Sequence, residues 1–136
     1  MKKGKRVQPK FPIEYRLLIA PKYKERENVT VILVALRTVN AFTNFLYEII
    51  VQDSVTDHDL HLNIHGLRAP QVTLPGTGPA TFKKEFTELN GTYNVIVKKL
   101  GREENVFTVA ISQNGVTVER GPKKKFVEIV TNEEEW

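Results

Sequence analysis

The chain has 136 residues, 40% of them hydrophobic and 26% charged, and it contains no cysteine. This is the size of one soluble domain that can bury a core without staples, and the composition excludes disulfides, thiolate metal sites and cysteine nucleophiles. The net charge is +4, but five of the 20 basic residues fall in the first ten positions, and without them 15 basic residues stand against 16 acidic ones, a net charge of −1.

The basic excess therefore belongs to residues 1–10, which we expect to form a disordered basic tail ahead of a single domain over 11–131. A tail of this kind could touch nucleic acid or an anionic membrane, but no basic face on the folded part accompanies it. No apolar run of signal-peptide length follows, and none approaches the roughly 20 residues of a membrane helix. A cytoplasmic protein is the simplest expectation, with the mature part of an exported one as the alternative.

Ile13, Tyr15, Leu17 and Ile19 alternate with Glu14, Arg16 and Leu18, the period of a strand. Pro12 and Pro21 bracket this run, which suggests a sheet edge. Residues 22–28 are charged and read as a loop. The 29–39 run is rich in β-branched residues and apolar on both faces, with Val31, Leu33 and Ala35 on one and Ile32, Val34 and Leu36 on the other. A strand in a two-layered sheet should keep one wet face, so something must cover the second. We take Val31, Leu33 and Ala35 as the core face.

Residues 45–52 form the next expected strand, with Phe45, Tyr47, Ile49 and Val51 inward and Leu46, Glu48 and Ile50 outward. A polar loop over 53–57 precedes a clean alternation over 59–65, where Leu60, Leu62 and Ile64 point inward. The 66–79 stretch, with three prolines and three glycines, has no sustained period and reads as a long loop. Strands resume over 80–87, 93–99 and 106–112. In the first of these Lys84 shares the face of Phe82 and Phe86, which implies an edge position. Asn114-Gly115 signals a hairpin of the type I′ class. The run 116–119 pairs back, 125–131 is the last strand, and 132–136 reads as a frayed acidic tail. Eight or nine strands with no helical period describe an all-β sandwich or barrel.

The stretch Glu88-Leu89-Asn90-Gly91-Thr92-Tyr93 narrows this choice. Leu89 lies four residues before Tyr93 and Gly91 two before it. The spacing resembles the tyrosine corner of immunoglobulin-like and fibronectin type III-like Greek-key sandwiches, where a tyrosine at the start of strand F turns its hydroxyl back onto upstream backbone. The resemblance implies an antiparallel immunoglobulin-like sandwich with Leu89, Gly91 and Tyr93 as a structural corner. It departs from the family in lacking a cysteine pair and a tryptophan on strand C, where Phe45 or Tyr47 would have to serve.

Little in the chain points to catalysis. Ser54 and Ser112 are the only serines, and neither has a nucleophile-elbow context. Pro75-Gly76-Thr77-Gly78-Pro79 lacks the lysine of a phosphate loop. The three histidines cluster over 58–65, but His61 and His65 stand about 13 Å apart along a strand. Asp59 and His61 could share an ion only with a third ligand from a neighbouring strand. We expect neither a metal nor a cofactor, and no catalytic residue.

The expected role is a non-catalytic protein-binding or assembly module. Ile32, Val34, Leu36, Leu46, Ile50 and Ile96 fall opposite the expected core face and would form an apolar partner or self-association surface, unless terminal segments cover it. A carbohydrate-binding sandwich using the 66–79 loop is the first alternative. Weak nucleic-acid binding through the tail is the second.

Overall fold

The computed structural model describes residues 13–69, 75–100 and 103–136. The tail expected over 1–10 lies outside the described residues, as do positions 70–74 of the long loop. Among the described residues nine strands follow one another: β1 (Tyr15–Lys24), β2 (Val29–Phe42), β3 (Glu48–Thr56), β4 (Asp59–Arg68), β5 (Gly78–Phe86), β6 (Gly91–Lys99), β7 (Glu103–Ser112), β8 (Gly115–Arg120) and β9 (Val127–Val130). Among the described residues no helix is long and apolar enough to cross a membrane.

The strands hydrogen-bond in the order β8-β7-β6-β4-β3-β5-β2-β1-β9. The ladder is thin in its middle, where β3 and β5 share one bridge between Glu48 and Thr81. The sheet curls there into a five-strand half, β8-β7-β6-β4-β3, and a four-strand half, β5-β2-β1-β9. The two halves enclose one core, and β8 returns against β1 so that the sheet nearly closes. Lys84 stands at the thin joint. Its Nζ donates to Asp53 of β3 at 2.6 Å and lies 5.2 Å from the centre of the Phe86 ring. That place explains a lysine on the same face as two core phenylalanines, because the side chain leaves through the gap between the halves.

One parity of residues points inward on each strand, because successive side chains alternate across a pleated sheet. Leu17 and Ile19 meet Leu60, Leu62, Val95, Val97, Phe107 and Val109 in this core. Each fully buried aliphatic side chain contributes about 1.5–3 kcal/mol relative to exposure.

Several expectations are corrected. The sheet is mixed rather than wholly antiparallel, since β4 pairs in parallel with β6 and β1 with β9. The chain leaves β4, crosses to the other half as β5 and returns as β6 beside β4, which makes the two run the same way. The core face of β2 is the opposite of the expected one. Ile32, Val34 and Leu36 are 2%, 0% and 0% exposed inside the main core. The polar loop expected at 53–57 is mostly strand, reversed at Asp57 with a positive φ of 50°. The β7–β8 hairpin forms, but its turn is Gln113-Asn114, and neither Asn114 nor Gly115 takes a positive φ. The Ser112 hydroxyl closes it instead, accepting from the Asn114 N–H at 3.2 Å and donating to the Gly115 carbonyl at 3.1 Å.

Two buried polar side chains hold the strands where main-chain ladders are interrupted. Thr38 Oγ1 accepts the Ala80 N–H at 3.0 Å and donates to the Asn40 carbonyl at 2.8 Å, where the β2–β5 register shifts. Asn105, 4% exposed, accepts the N–H groups of Phe126 and Val127 at 2.9 and 3.2 Å on Oδ1. Its Nδ2 donates to the Lys124 carbonyl at 3.1 Å. One carboxamide on β7 thus carries the start of β9, on the opposite half.

Leu89, Gly91 and Tyr93 lie where the chain passes from β5 into β6. Leu89 and Tyr93 are buried in the core. Gly91 has φ +121° with open space where a Cβ would sit, so glycine is needed there for its backbone freedom. The Tyr93 hydroxyl accepts the Asn90 N–H at 3.4 Å, a long bond. Tyr93→Phe should therefore lose no more than about 1 kcal/mol. Asn105→Leu, which orphans two buried N–H groups, should lose about 2–4 kcal/mol. Urea unfolding of the two variants checks this order, and a Tyr93→Phe loss larger than that of Asn105→Leu would contradict it.

Candidate functional site

The six residues expected to form one partner surface do not come together. Ile32, Val34 and Leu36 lie in the core. Ile50 and Ile96 are half-buried on the outer face of the five-strand half, separated by β4. Leu46 is 43% exposed and packs beside Gly76 and Gly78, where Phe45 bridges Pro75. Of the loop expected over 66–79, residues 66–68 belong instead to β4 and residues 78–79 to β5, while Pro75, Gly76 and Gly78 lie against residues 44–46.

The outer face of the five-strand half is mainly polar. It carries Asp59, His61, Asn63 and His65 of β4. Asp59 Oδ1 accepts the Asn94 Nδ2 at 3.0 Å, and His65 Nε2 meets Gln52 at 3.3 Å. Among the described residues no three His, Cys, Asp or Glu side chains are grouped to hold a metal ion, and Asp59 and His61 acquire no third ligand from β3 or β6.

The outer face of the four-strand half is different. The antiparallel register sets Leu18 opposite Ala35 and Ala20 opposite Leu33. With Val130 these residues form a second buried cluster, on which Trp136 packs. This is the cover that the two-faced apolar 29–39 run demanded. The frayed tail expected over 132–136 is instead a turn lying on the sheet. The Glu135 N–H donates to the Asn132 carbonyl at 3.3 Å, and the Trp136 N–H to the Glu133 carbonyl at 3.2 Å. The indole Nε1 donates to the Arg16 carbonyl at 3.0 Å, and Arg37 Nε donates to the Trp136 carbonyl at 2.6 Å. Apolar area under the indole and these bonds outweigh the charge of three neighbouring glutamates, which alone suggested a solvated end.

Beside Trp136 the face opens into a cleft of about 460 Å³ with Leu18 and Leu33 on its floor and Lys22, Lys83, Glu85 and Glu133 around its rim. Lys83 Nζ lies 5.3 Å from the indole centre and the Arg37 guanidinium 5.9 Å, within cation–π range. Burial, and then the neighbouring Arg16 guanidinium, push the Arg37 pKa below the usual arginine value. Arg16 itself is paired with Glu128 at 3.1 Å. Glu85 accepts from Lys24 at 2.8 Å, and that hydrogen bond holds the Lys24 pKa above its ordinary value. Among the described residues Lys22 and Lys83 have no carboxylate partner.

Among the described residues two further clefts lack an indole wall. One, at the seam of β8 and β9, is rimmed by Glu119, Arg120, Lys125 and Glu128, the last already paired with Arg16. The other lies at the corner end and is lined by Thr30, Thr87, Asn90, Ser112 and Asn114.

Sequence reasoning missed Trp136 as a site residue because it was read with the acidic run before it. The doubled apolar faces of 29–39 were the signal that some distant segment had to return. Compared with protein-family models, curated proteins and solved structures, the chain matches none.

Trp136→Ala removes the indole hydrogen bond, two cation–π contacts and the cover over Leu18. We expect a loss of about 2 kcal/mol in chemical denaturation. A loss under a few tenths of a kcal/mol would show that the indole is not seated.

Proposed function

We propose that this chain is a non-catalytic protein-binding or assembly module that docks a partner on the outer face of its four-strand half. The observation that carries this is the cleft beside Trp136. It joins an apolar floor, an aromatic wall and a charged rim on one rigid sheet face, and its volume lies in the range typical of ligand sites. Aromatic walls over apolar floors are the usual anchors of binding energy at protein interfaces. Self-association through Ile32, Val34 and Leu36 has no surface to use, so assembly on this half would go through Leu18, Leu33 and Trp136.

The narrower fold, an immunoglobulin-like sandwich, is supported by the corner at Leu89, Gly91 and Tyr93 and by the adjacency of β1, β2 and β5, which corresponds to strands A, B and E. The β6–β7 hairpin behind the corner corresponds to F and G. The β3–β4 hairpin departs from that plan, because β4 rather than β3 lies beside β6.

Selection from a random displayed-peptide library tests the docking face, with bound peptides mapped by amide shift changes. Changes centred on residues 18–22, 31–35 and 83–85 are expected. No enriched peptide, or changes confined to the outer face of β4 and β6, would overturn the proposal.

A further inference from the structure

We infer that the cleft beside Trp136 takes an acidic peptide segment of a partner protein, with an apolar side chain on the floor and an adjacent carboxylate between Lys22 and Lys83. The inference rests on the docking face proposed above and specifies its ligand.

The register places the groups. Leu18 stands opposite Ala35, and Ala35 opposite Lys83, so one row runs from the floor to a lysine at the β5 side. Lys22 lies four residues beyond Leu18 on the same face of β1 and opposite Val31. The two lysines therefore flank the cleft from different strands, with Leu18 and Leu33 between them.

The charge pattern selects the ligand's sign. Glu85 is engaged by Lys24 at 2.8 Å, and Lys84 turns away to Asp53 at 2.6 Å. Lys22 and Lys83 are left without a carboxylate among the described residues, whereas Arg37 is engaged by the Trp136 carbonyl at 2.6 Å and does not line the cleft. Glu133 is the one acidic group on the rim without a cationic partner among the described residues. An anionic segment meets a net positive rim, whereas a basic one meets like charge, and like-charge contact is how an interface rejects a wrong partner. The leucine floor demands that the segment also bring an apolar side chain, because a purely acidic chain would leave Leu18 and Leu33 wet.

Trp136 is the only tryptophan, so its emission reports on this site alone. The probe is the blocked peptide acetyl-Gly-Leu-Glu-Glu-Leu-Gly-amide, titrated into the full chain, with the peptide carrying lysines in place of both glutamates as its control. We expect a saturable change in emission with half-saturation below about 1 mM, at least tenfold weaker for the lysine peptide. Affinity should fall when salt is raised. The double variant Lys22→Glu, Lys83→Glu should weaken binding at least tenfold, while its thermal unfolding stays close to that of the parent, because both side chains are exposed and the Lys83–indole contact is the one packing contact it removes. No saturable change, or equal binding of the two peptides, would overturn the inference. So would unchanged binding by a folded double variant. Displayed peptides that map to this face but carry no acidic residue would overturn the ligand assignment alone and leave the docking face standing.

Discussion

The carboxamide of Asn105 is the contact on which the far side of the molecule depends. It sits at an inward position of β7, where period-two alternation otherwise places Phe107, Val109 and Ile111. Its oxygen satisfies the amides of Phe126 and Val127, the residues that open β9. The Phe126 carbonyl then accepts the N–H groups of Glu14 and Tyr15 at 2.8 and 3.1 Å. A chain of main-chain bonds thus runs from one half of the sheet, through one side chain, to the entry of β1 in the other. A buried amide left without a partner costs more than a bond gained, so this small network sets where β9 can lie.

Where β9 lies decides what covers the outer face of β1 and β2. Parallel pairing puts Val130 beside Leu18, and the chain beyond it turns at Asn132 and brings Trp136 down over the same row. The molecule thus has a main core between its halves and a smaller apolar layer outside the four-strand half. The second layer accounts for a β2 strand that is apolar on both sides, a pattern that a two-layered sheet with one wet face cannot accommodate. Its incomplete cover leaves the cleft between Trp136 and Lys22.

The two halves differ in the way their outer faces meet water. Asp59, His61, Asn63 and His65 give the five-strand half a wetted surface, on which Asp59 and His65 pair with Asn94 and Gln52 of the adjacent strands. The four-strand half carries apolar side chains, an indole and two lysines, Lys22 and Lys83, that have no carboxylate partner among the described residues. A binding surface needs area to remove from water and charge to select a partner, and the second face places apolar area and lysines side by side.

The sequence by itself determined the all-β class, the inward parity of most strands and the place of Gly91 at the turn into β6. These follow from local rules, because side-chain alternation and the backbone freedom of glycine act within a few residues. Which face of β2 is the core, which strands run parallel and where Trp136 comes to rest were decided only by tertiary structure. Val31, Leu33 and Ala35 are chemically equivalent to Ile32, Val34 and Leu36 as far as alternation is concerned. Only pairing with β1, and the return of residues 130–136 over its outer side, distinguishes them. The cleft was hidden for the same reason, since Leu18, Leu33, Lys83 and Trp136 are brought together by strand register and not by their spacing along the chain.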